Sequence, residues 1–194
     1  MRNLYLARHG RVEFPGGVAR CIGRTELPLS EEGRRQAMEL REYFRRHPVE
    51  YIYSSPLERC VETAEIIAGG LRPVRVEQDL SELDMGEWEN VPKRELKKSL
   101  ETEPKWGERR AVGLRRFERV VREIIEQTEG DILCVTHAGI NCCFLSRLLG
   151  TPLETSRALP QPYGGISRIT FDECGNMQAA EVGVMPKHLP DSAE

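Results

Sequence analysis

The fold of this chain is decided by residues 132–139, which read Ile132-Leu133-Cys134-Val135-Thr136-His137-Ala138-Gly139. The first four residues are apolar without alternation, a pattern typical of a strand that is covered on both faces in a parallel sheet. Thr136 and His137 follow at once, and a helix is predicted over residues 139–149. A buried strand, a polar turn and a helix together indicate an α/β fold.

Short apolar runs and helical patterns alternate on both sides of this stretch. The predicted strands are 4–7, 51–54, 74–76 and 132–135, with a closing hairpin of 166–171 and 177–182, and the predicted helices are 30–46, one from about Pro56, 114–128 and 139–149. Strands that alternate with helices favour a parallel sheet with helices on both faces. We therefore predict a three-layer α/β/α sandwich with a mostly parallel central sheet.

Length and composition are those of one domain. The 194 residues contain no internal repeat and no low-complexity linker, so we predict a single domain over 1–194. Residues 10–28 have turn chemistry without a clear period, which predicts a long loop. Residues 84–110 are rich in charge, proline and glycine and hold both tryptophans. This composition predicts a small covering excursion from the sheet.

Charge and cysteine content exclude several classes of function. The 28 Lys and Arg against 31 Asp and Glu give a net charge of −3, which argues against binding to nucleic acid or to an anionic membrane but allows a local basic pocket.

No apolar stretch is long enough to span a membrane and no signal peptide is recognisable, so we predict a cytoplasmic protein. The six cysteines contain no C-x-x-C pair, which favours buried thiols and predicts neither a metal nor a cofactor.

Two histidines follow predicted strands in matching positions. His9 comes after the first strand and His137 after the central one, and in an open α/β sheet ligands bind beyond the carboxyl ends of the strands. Two histidines so placed, one beside Arg8, favour a catalytic role over a structural one. Arg59 lies in the first turn of a predicted helix, where it could bind phosphate or pair with Glu58 or Glu62 on the solvated face. Taken alone, Arg59 favours the ion pair.

Five segments in order resemble the histidine phosphatase superfamily, the phosphoglycerate mutase-like proteins. They are Arg8-His9-Gly10, residues 23–33, residues 53–59, residues 80–89 and residues 135–139. Any one segment is weak evidence for the superfamily, but five segments in the same order and at plausible separations are a highly specific match. The spacing of the later segments looks most similar to the small phosphatases, such as α-ribazole phosphatase.

The resemblance implies a role for each matched residue. His9 matches the nucleophile that takes the phosphoryl group, and Arg8, Arg59 and His137 match the phosphate pocket. Glu82 matches the proton donor, which must later act as base toward water. These matches imply a metal-independent phosphomonoesterase that acts on a small phosphorylated metabolite through a phosphohistidine.

Three further substrate-binding residues are expected at Gly23, Arg24 and Ala138, because they lie in the matched segments. The chain also departs from the pattern. Many members follow the nucleophile motif with an acidic or polar residue, then Thr or Ser, and then an Asn, whereas this chain has Arg11, Val12 and Pro15. Arg11, Arg20 or Arg24 could replace the phosphate contact of the missing Asn. Of these three, only Arg24 lies in a matched segment. A position on the protein surface is nevertheless the simpler expectation for each of them.

The sequence is compatible with several alternative functions. A phosphoglycerate mutase must exclude water, and the segment between Glu82 and His137 is short for such a cover. A phosphate sensor without catalysis would have no use for Glu82, and a zinc hydrolase using His9 and His137 lacks a third ligand at a recognisable spacing. Arg109 and Arg110 could bind an acidic substrate or lie on the surface. Whether the chain forms a homodimer is also open.

Overall fold

A computed structural model describes residues 1–96 and 102–188, in which six strands and four α-helices alternate. The strands are β1 (Arg2–Arg8), β2 (Tyr51–Ser54), β3 (Val74–Val76), β4 (Ile132–Thr136), β5 (Ile166–Phe171) and β6 (Met177–Val184). The helices are α1 (Glu31–Arg46), α2 (Glu58–Ala68), α3 (Arg110–Glu126) and α4 (Ala138–Leu149). Short 3₁₀ turns include Gly86–Trp88, Lys93–Glu95 and Leu153–Ala158.

One sheet in the order β3-β2-β4-β1-β5-β6 organises the fold. Strands β3, β2, β4 and β1 run parallel, and β5 and β6 close the sheet as an antiparallel hairpin. Arg8 of β1 lies opposite Thr136 of β4, so both strands end at the same edge. His9 and His137 therefore leave the sheet side by side.

Alternate residues of β4 serve two separate cores. Ile132 and Cys134 pack with α3 and α4, whereas Leu133 and Val135 pack with α1 and α2. All four side chains are fully buried, and each large apolar side chain buried in this way stabilises the fold by about 1.5–3 kcal/mol. The predicted three-layer α/β/α sandwich with a mostly parallel sheet is confirmed.

Two helices begin elsewhere than the sequence pattern predicts. Helix α2 begins at Glu58, because Leu57 is still extended at φ −69° and ψ 134°. Helix α3 begins at Arg110, four residues before its apolar face. The Arg110 guanidinium is buried and donates to the carbonyl oxygens of Glu154 and Thr102, both at 2.8 Å, so a tertiary contact extends the helix.

The predicted covering excursion is described on both sides of residues 97–101, which lie outside the described part of the chain. Its two 3₁₀ turns, Gly86–Trp88 and Lys93–Glu95, pack beside the long loop that follows β1. Five of the six cysteines are buried, as expected, whereas Cys174 is exposed in the hairpin turn between β5 and β6. Among the described residues, no helix has the length and apolar character needed to cross a membrane.

Candidate active site

A cavity of about 350 Å³ opens where β1 and β4 end. This volume is within the range of small-molecule sites. Residues from six parts of the chain line it: Arg8, His9, Arg20, Cys21, Ile22, Arg59, Glu82, Met85, Lys93, Ala138, Gly139, Cys142, Arg157, Leu159, Gln161 and Tyr163. This lining contains five cationic side chains and one carboxylate, so the chain places a strongly positive cavity in a protein of net charge −3.

The imidazole of His9 is buried and has a fixed tautomer. Its Nδ1 lies 2.7 Å from the carbonyl oxygen of Gly10, which can only accept, so Nδ1 carries the hydrogen and the lone pair is on Nε2. Burial, together with the charges of Arg8 and Arg59, lowers the pKa of His9 well below its usual range. His9 is therefore neutral at pH 7, with Nε2 available as a nucleophile.

Arg8 is held at the end of β1 by contacts with the segment before β5. Its Nη1 donates to the carbonyl oxygen of Gln161 at 2.6 Å, and its guanidinium lies 3.5 Å from the ring centroid of Tyr163. The Nε of Arg8 is buried without a hydrogen-bond partner in the described structure. The Nε of this guanidinium is thus one donor that an anion in the cavity could satisfy.

Arg59 is fully buried in the first turn of α2. Its Nη1 donates to the carbonyl oxygen of Thr25 at 2.8 Å and its Nη2 to that of Gly23 at 2.6 Å. These bonds use two of its five N–H groups, and its Nε has no hydrogen-bond partner among the described residues. The ion pair considered from the sequence is absent, because Arg59 is buried, Glu58 is exposed and Glu62 pairs with Arg34 instead.

Glu89 fixes the loop that holds Arg59. Its Oε2 accepts hydrogen bonds from the backbone of Gly23 and Thr25 and, at 2.5 Å, from the Thr25 hydroxyl. Its Oε1 accepts from the backbone of Arg24 at 2.8 Å and Met85 at 3.1 Å. Burial opposes ionisation, but these bonds outweigh it and lower the pKa of Glu89. One carboxylate thus ties the loop after β1 to the covering excursion.

The substitution Glu89→Gln is expected to lower the free energy of unfolding by roughly 2–4 kcal/mol, because the amide NH₂ would face N–H donors that need an acceptor. It should also weaken phosphate binding, since the acceptors of Arg59 would lose their support. Urea unfolding measures the first effect. Glu87→Gln, in the same turn but exposed, is the matched control and should change stability by less than about 0.5 kcal/mol. Equal stability of the two variants would contradict this role.

Glu82 is buried against the first turn of α4. Its Oε1 accepts from the backbone N–H groups of Leu83 at 2.9 Å and Ile140 at 2.8 Å, and its Oε2 accepts from that of Gly139 at 2.8 Å. A side chain at Gly139 would meet this carboxylate, since a Cβ there would lie 2.7 Å from Oε1. Burial raises the pKa of Glu82, although these three hydrogen bonds oppose it.

His137 stands behind His9 as the cap residue of α4. Its ring centroid lies 5.2 Å from that of His9, and its Nε2 lies 2.7 Å from the hydroxyl oxygen of Ser55. The thiol of Cys60 packs against the same ring, with Sγ 3.4 Å from Nε2. Burial, with the charge of Arg59, lowers the pKa of His137 well below its usual range. His137 therefore contributes a neutral imidazole beside the nucleophile candidate.

The profile of the histidine phosphatase superfamily, branch 1, matches residues 4–181. The chain belongs to this superfamily. Within it, a probable phosphoglycerate mutase of Cronobacter sakazakii is 31% identical over 191 residues, which cover 89% of this chain and 86% of the relative. The resemblance seen in the five sequence segments is thereby confirmed.

Two solved structures show the same fold. A mycobacterial glucosyl-3-phosphoglycerate phosphatase superposes with a TM-score of 0.85 at 22% identity, over 95% of this chain and 100% of that chain. The α-ribazole phosphatase from Shigella flexneri superposes with a TM-score of 0.80 at 24% identity, over 94% and 96%. The fold of this chain is thus that of the histidine phosphatase superfamily, and small phosphatases are among the structures that share it.

The structure brings most of the expected residues of this histidine phosphatase superfamily member together. Arg8, His9, Arg59, Glu82 and Ala138 line the cavity, and His137 adjoins it through its contact with the ring of His9.

The other expected residues lie apart from the cavity lining. Gly23 supplies a carbonyl to Arg59, and the Nε of Arg24 donates to the carbonyl oxygen of Glu82 at 3.2 Å. The Nη2 of Arg24 also pairs with Glu108 at 3.2 Å. The structure therefore places both residues around the site, and direct contact with substrate stays a prediction for them.

The positions that depart from the superfamily pattern also lie apart from the cavity. Val12 is buried in a small apolar cluster with Phe14 and Leu27, and Pro15 is exposed in the turn that follows. Arg109 is exposed, and Arg110 is the buried residue that fixes the start of α3. None of these side chains is among the described residues that line the cavity.

Sequence reasoning missed Lys93 and Arg157 of the cavity lining, and it ranked Arg20 below Arg24. The matched segments favour Arg24 over Arg20, and Lys93 and Arg157 lie outside all five of them. Backbone contacts between two loops, including the pairing of Arg20 with Pro92, bring Arg20 and Lys93 to the same cavity, and no local sequence pattern predicts these contacts. Among the described residues, no group of three or more His, Cys, Asp or Glu side chains is placed to hold a metal ion.

Proposed function

We propose that this chain hydrolyses the phosphate monoester of a small metabolite, without a metal or other cofactor, through a phosphohistidine on His9. The observation that carries the proposal is one cavity in which Nε2 of His9 is unprotonated beside the guanidiniums of Arg8 and Arg59 and the buried carboxyl of Glu82. Hydrolysis of a panel of phosphomonoesters, with the His9→Ala variant as the blank, tests it.

In the first half of the reaction, Nε2 of His9 attacks phosphorus and the bond from phosphorus to the leaving oxygen breaks. A proton from Glu82 neutralises that oxygen as it departs. Oε2 is the atom suited to carry this proton, because it accepts one hydrogen bond whereas Oε1 accepts two. The raised pKa of Glu82 keeps the carboxyl protonated to higher pH than an exposed glutamate would be.

Arg8 and Arg59 supply the charge that phosphoryl transfer needs. A phosphate monoester carries about −1.5 to −2 charges near neutral pH, which two guanidiniums balance. Their anchors on the carbonyls of Gln161, Gly23 and Thr25 orient them before substrate arrives. Preoriented donors of this kind stabilise the charge on the transferred oxygens at little reorganisation cost.

In the second half, a water molecule attacks phosphorus, the bond to Nε2 of His9 breaks, and Glu82 takes the proton of the water. Inorganic phosphate leaves, and His9 and Glu82 return to their starting states. The same carboxyl thus acts first as acid and then as base.

Phosphoglycerate mutase-type transfer is the second candidate, because the Cronobacter sakazakii relative bears the name of a probable phosphoglycerate mutase. The short segment between Glu82 and His137 supports the phosphatase instead. Incubation with 3-phosphoglycerate and a bisphosphoglycerate primer separates the two. Isomerisation without free phosphate would favour the mutase, and release of phosphate would favour the hydrolase.

The pH profile should reveal the two titrating groups. His9 must be neutral, and its lowered pKa keeps it so down to pH values well below 6.5. Glu82 must be protonated in the first step, so kcat/KM for an alkyl phosphate should fall as pH rises through its raised pKa. We therefore expect kcat/KM to be maximal below the raised pKa of Glu82 and to decline above it, measured by steady-state kinetics from acid to alkaline pH.

The control for this profile is the Glu82→Gln variant on the same substrate. Ionisation of the phosphate ester affects both proteins equally, so the difference between their profiles belongs to Glu82. Loss of the alkaline limb in the variant is the expected result. An unchanged alkaline limb would assign it to the substrate or to another group.

A further inference from the structure

Three cations of the cavity are not used by the proposed chemistry. Arg20, Lys93 and Arg157 line it together with the phosphate-binding residues. In the described part of the chain, no carboxylate oxygen lies within 4.0 Å of their side-chain nitrogens. Elsewhere the chain pairs such charges, as Arg24 and Arg116 both do with Glu108. Each of the three cations therefore lacks an ion-pair partner among the described residues.

Arg20 and Lys93 are brought together by a built contact between two loops. The backbone of Asn90 donates to Cys21 at 2.8 Å, and that of Lys93 donates to Ala19 at 2.9 Å. Arg20 adds a bond from Nη1 to the carbonyl oxygen of Asn90 at 2.7 Å, and its Nε is buried without a partner. The loop after β1 and the covering excursion thus each contribute one cation to the same cavity lining.

Arg157 supplies the third charge from the 3₁₀ turn after α4. Its guanidinium lies 5.1 Å from the ring of Trp88, and its Nη1 donates to the carbonyl oxygen of Thr102 at 2.9 Å. Contacts with the excursion therefore hold this side chain in place while leaving other donors unused. Three separate segments converge on the same cavity with the same sign of charge.

One phosphate group cannot balance all five cations. Arg8 and Arg59 already match the charge of a monoester, which leaves the other three cations available to a second anion. Apolar side chains of Ile22, Met85 and Leu159 also line the cavity, which suits a short carbon chain between two charged ends.

We propose that Arg20, Lys93 and Arg157 form a second anion subsite, and that the substrate is a phosphomonoester carrying a further carboxylate or phosphate. This inference rests on the proposed phosphatase function and narrows its substrate class. Both alternatives place a second anionic group at the end of the substrate opposite the scissile phosphate.

The test compares matched esters that differ in one end group. Propyl phosphate is neutral there, 3-phosphonooxypropanoate adds a carboxylate, and 1,3-propanediol bisphosphate adds a phosphate. Since a charge-assisted hydrogen bond contributes roughly tenfold to a hundredfold, kcat/KM for one of the anionic esters should exceed that for propyl phosphate by at least about 30-fold. The preferred ester tells which anion the subsite takes.

The variants Arg20→Gln, Lys93→Gln and Arg157→Gln should each lower that preference by about tenfold while changing kcat/KM for propyl phosphate by less than about threefold. Arg94→Gln is the matched control, because Arg94 follows Lys93, is exposed and pairs with Glu95. Its preference should equal that of the unmodified protein. No preference in the unmodified protein, or equal losses on neutral and anionic esters, would overturn the subsite.

Calorimetric binding of the same three esters to the His9→Ala protein keeps the two proposals separate. Tighter binding of an anionic ester, reduced by Lys93→Gln in that background, supports the subsite whether or not turnover occurs. Equal binding of all three esters refutes it. Hydrolysis that survives in His9→Ala would refute the proposed mechanism without touching the binding result.

Discussion

The His9→Ala variant is expected to lose roughly 10⁴-fold or more of kcat for every phosphomonoester, because removal of a nucleophile leaves only binding and charge stabilisation. The structure explains why no neighbour should replace it. His137 lies beside His9, but its Nε2 is engaged with the Ser55 hydroxyl. The thiols of Cys60 and Cys142 are buried, which raises their pKa values and keeps them protonated.

Trapping of the phosphoenzyme provides the direct measurement. Brief mixing with a labelled ester, followed by denaturation, should leave label that is stable in base and labile in acid, and His9→Ala should carry none. His47→Ala is the control, since His47 lies at the far end of α1 from the cavity and stacks on Tyr43. Acid-stable label, or label retained in His9→Ala, would contradict a phosphohistidine at this position.

The architecture could be predicted because its signals are local. Four consecutive apolar residues at 132–135 identify the central strand, and all four are fully buried between the two helix layers. The parallel pairing of β1 with β4 then brings His9 and His137 together at one edge. Position after a strand was enough to select both histidines without knowledge of any contact.

The functions of the acidic residues depend on partners that are remote in sequence. Glu82 bonds to Gly139 and Ile140, which are 57 and 58 residues further along the chain. Glu89 bonds to a loop more than 60 residues before it. Among 31 acidic residues, no local pattern distinguishes these two, and only the family resemblance selected Glu82.

The positions of the arginine side chains are equally hard to predict from local sequence patterns. Arg20 and Arg24 are both in the loop after β1, yet Arg20 lines the cavity and Arg24 pairs with Glu108. The difference arises because the backbone at Arg20 pairs with Pro92, a contact between two segments without regular secondary structure. Substrate selectivity is therefore the part of the function that the sequence pattern describes least.

The second large effect is expected for Glu82→Gln, and it should depend on the leaving group. An amide cannot donate the proton that a poor leaving oxygen requires, so hydrolysis of alkyl phosphates should fall by roughly 10²–10⁴-fold. A dinitrophenyl ester needs no such proton, and its hydrolysis should fall by less than about tenfold in the step that forms the phosphoenzyme. The dependence of log(kcat/KM) on the pKa of the leaving alcohol should thus become steeper.

Two measurements separate loss of the proton from loss of the pocket. The amide introduced by Glu82→Gln must turn its NH₂ toward the N–H of Gly139 or toward those of Leu83 and Ile140. Because two donors then face each other, some loss of stability is expected, and urea unfolding measures it. Inorganic phosphate should bind as in the unmodified protein, because Arg8 and Arg59 keep their own anchors. A uniform loss on alkyl and dinitrophenyl esters would mean that Glu82 supports α4 and leaves proton transfer to another group.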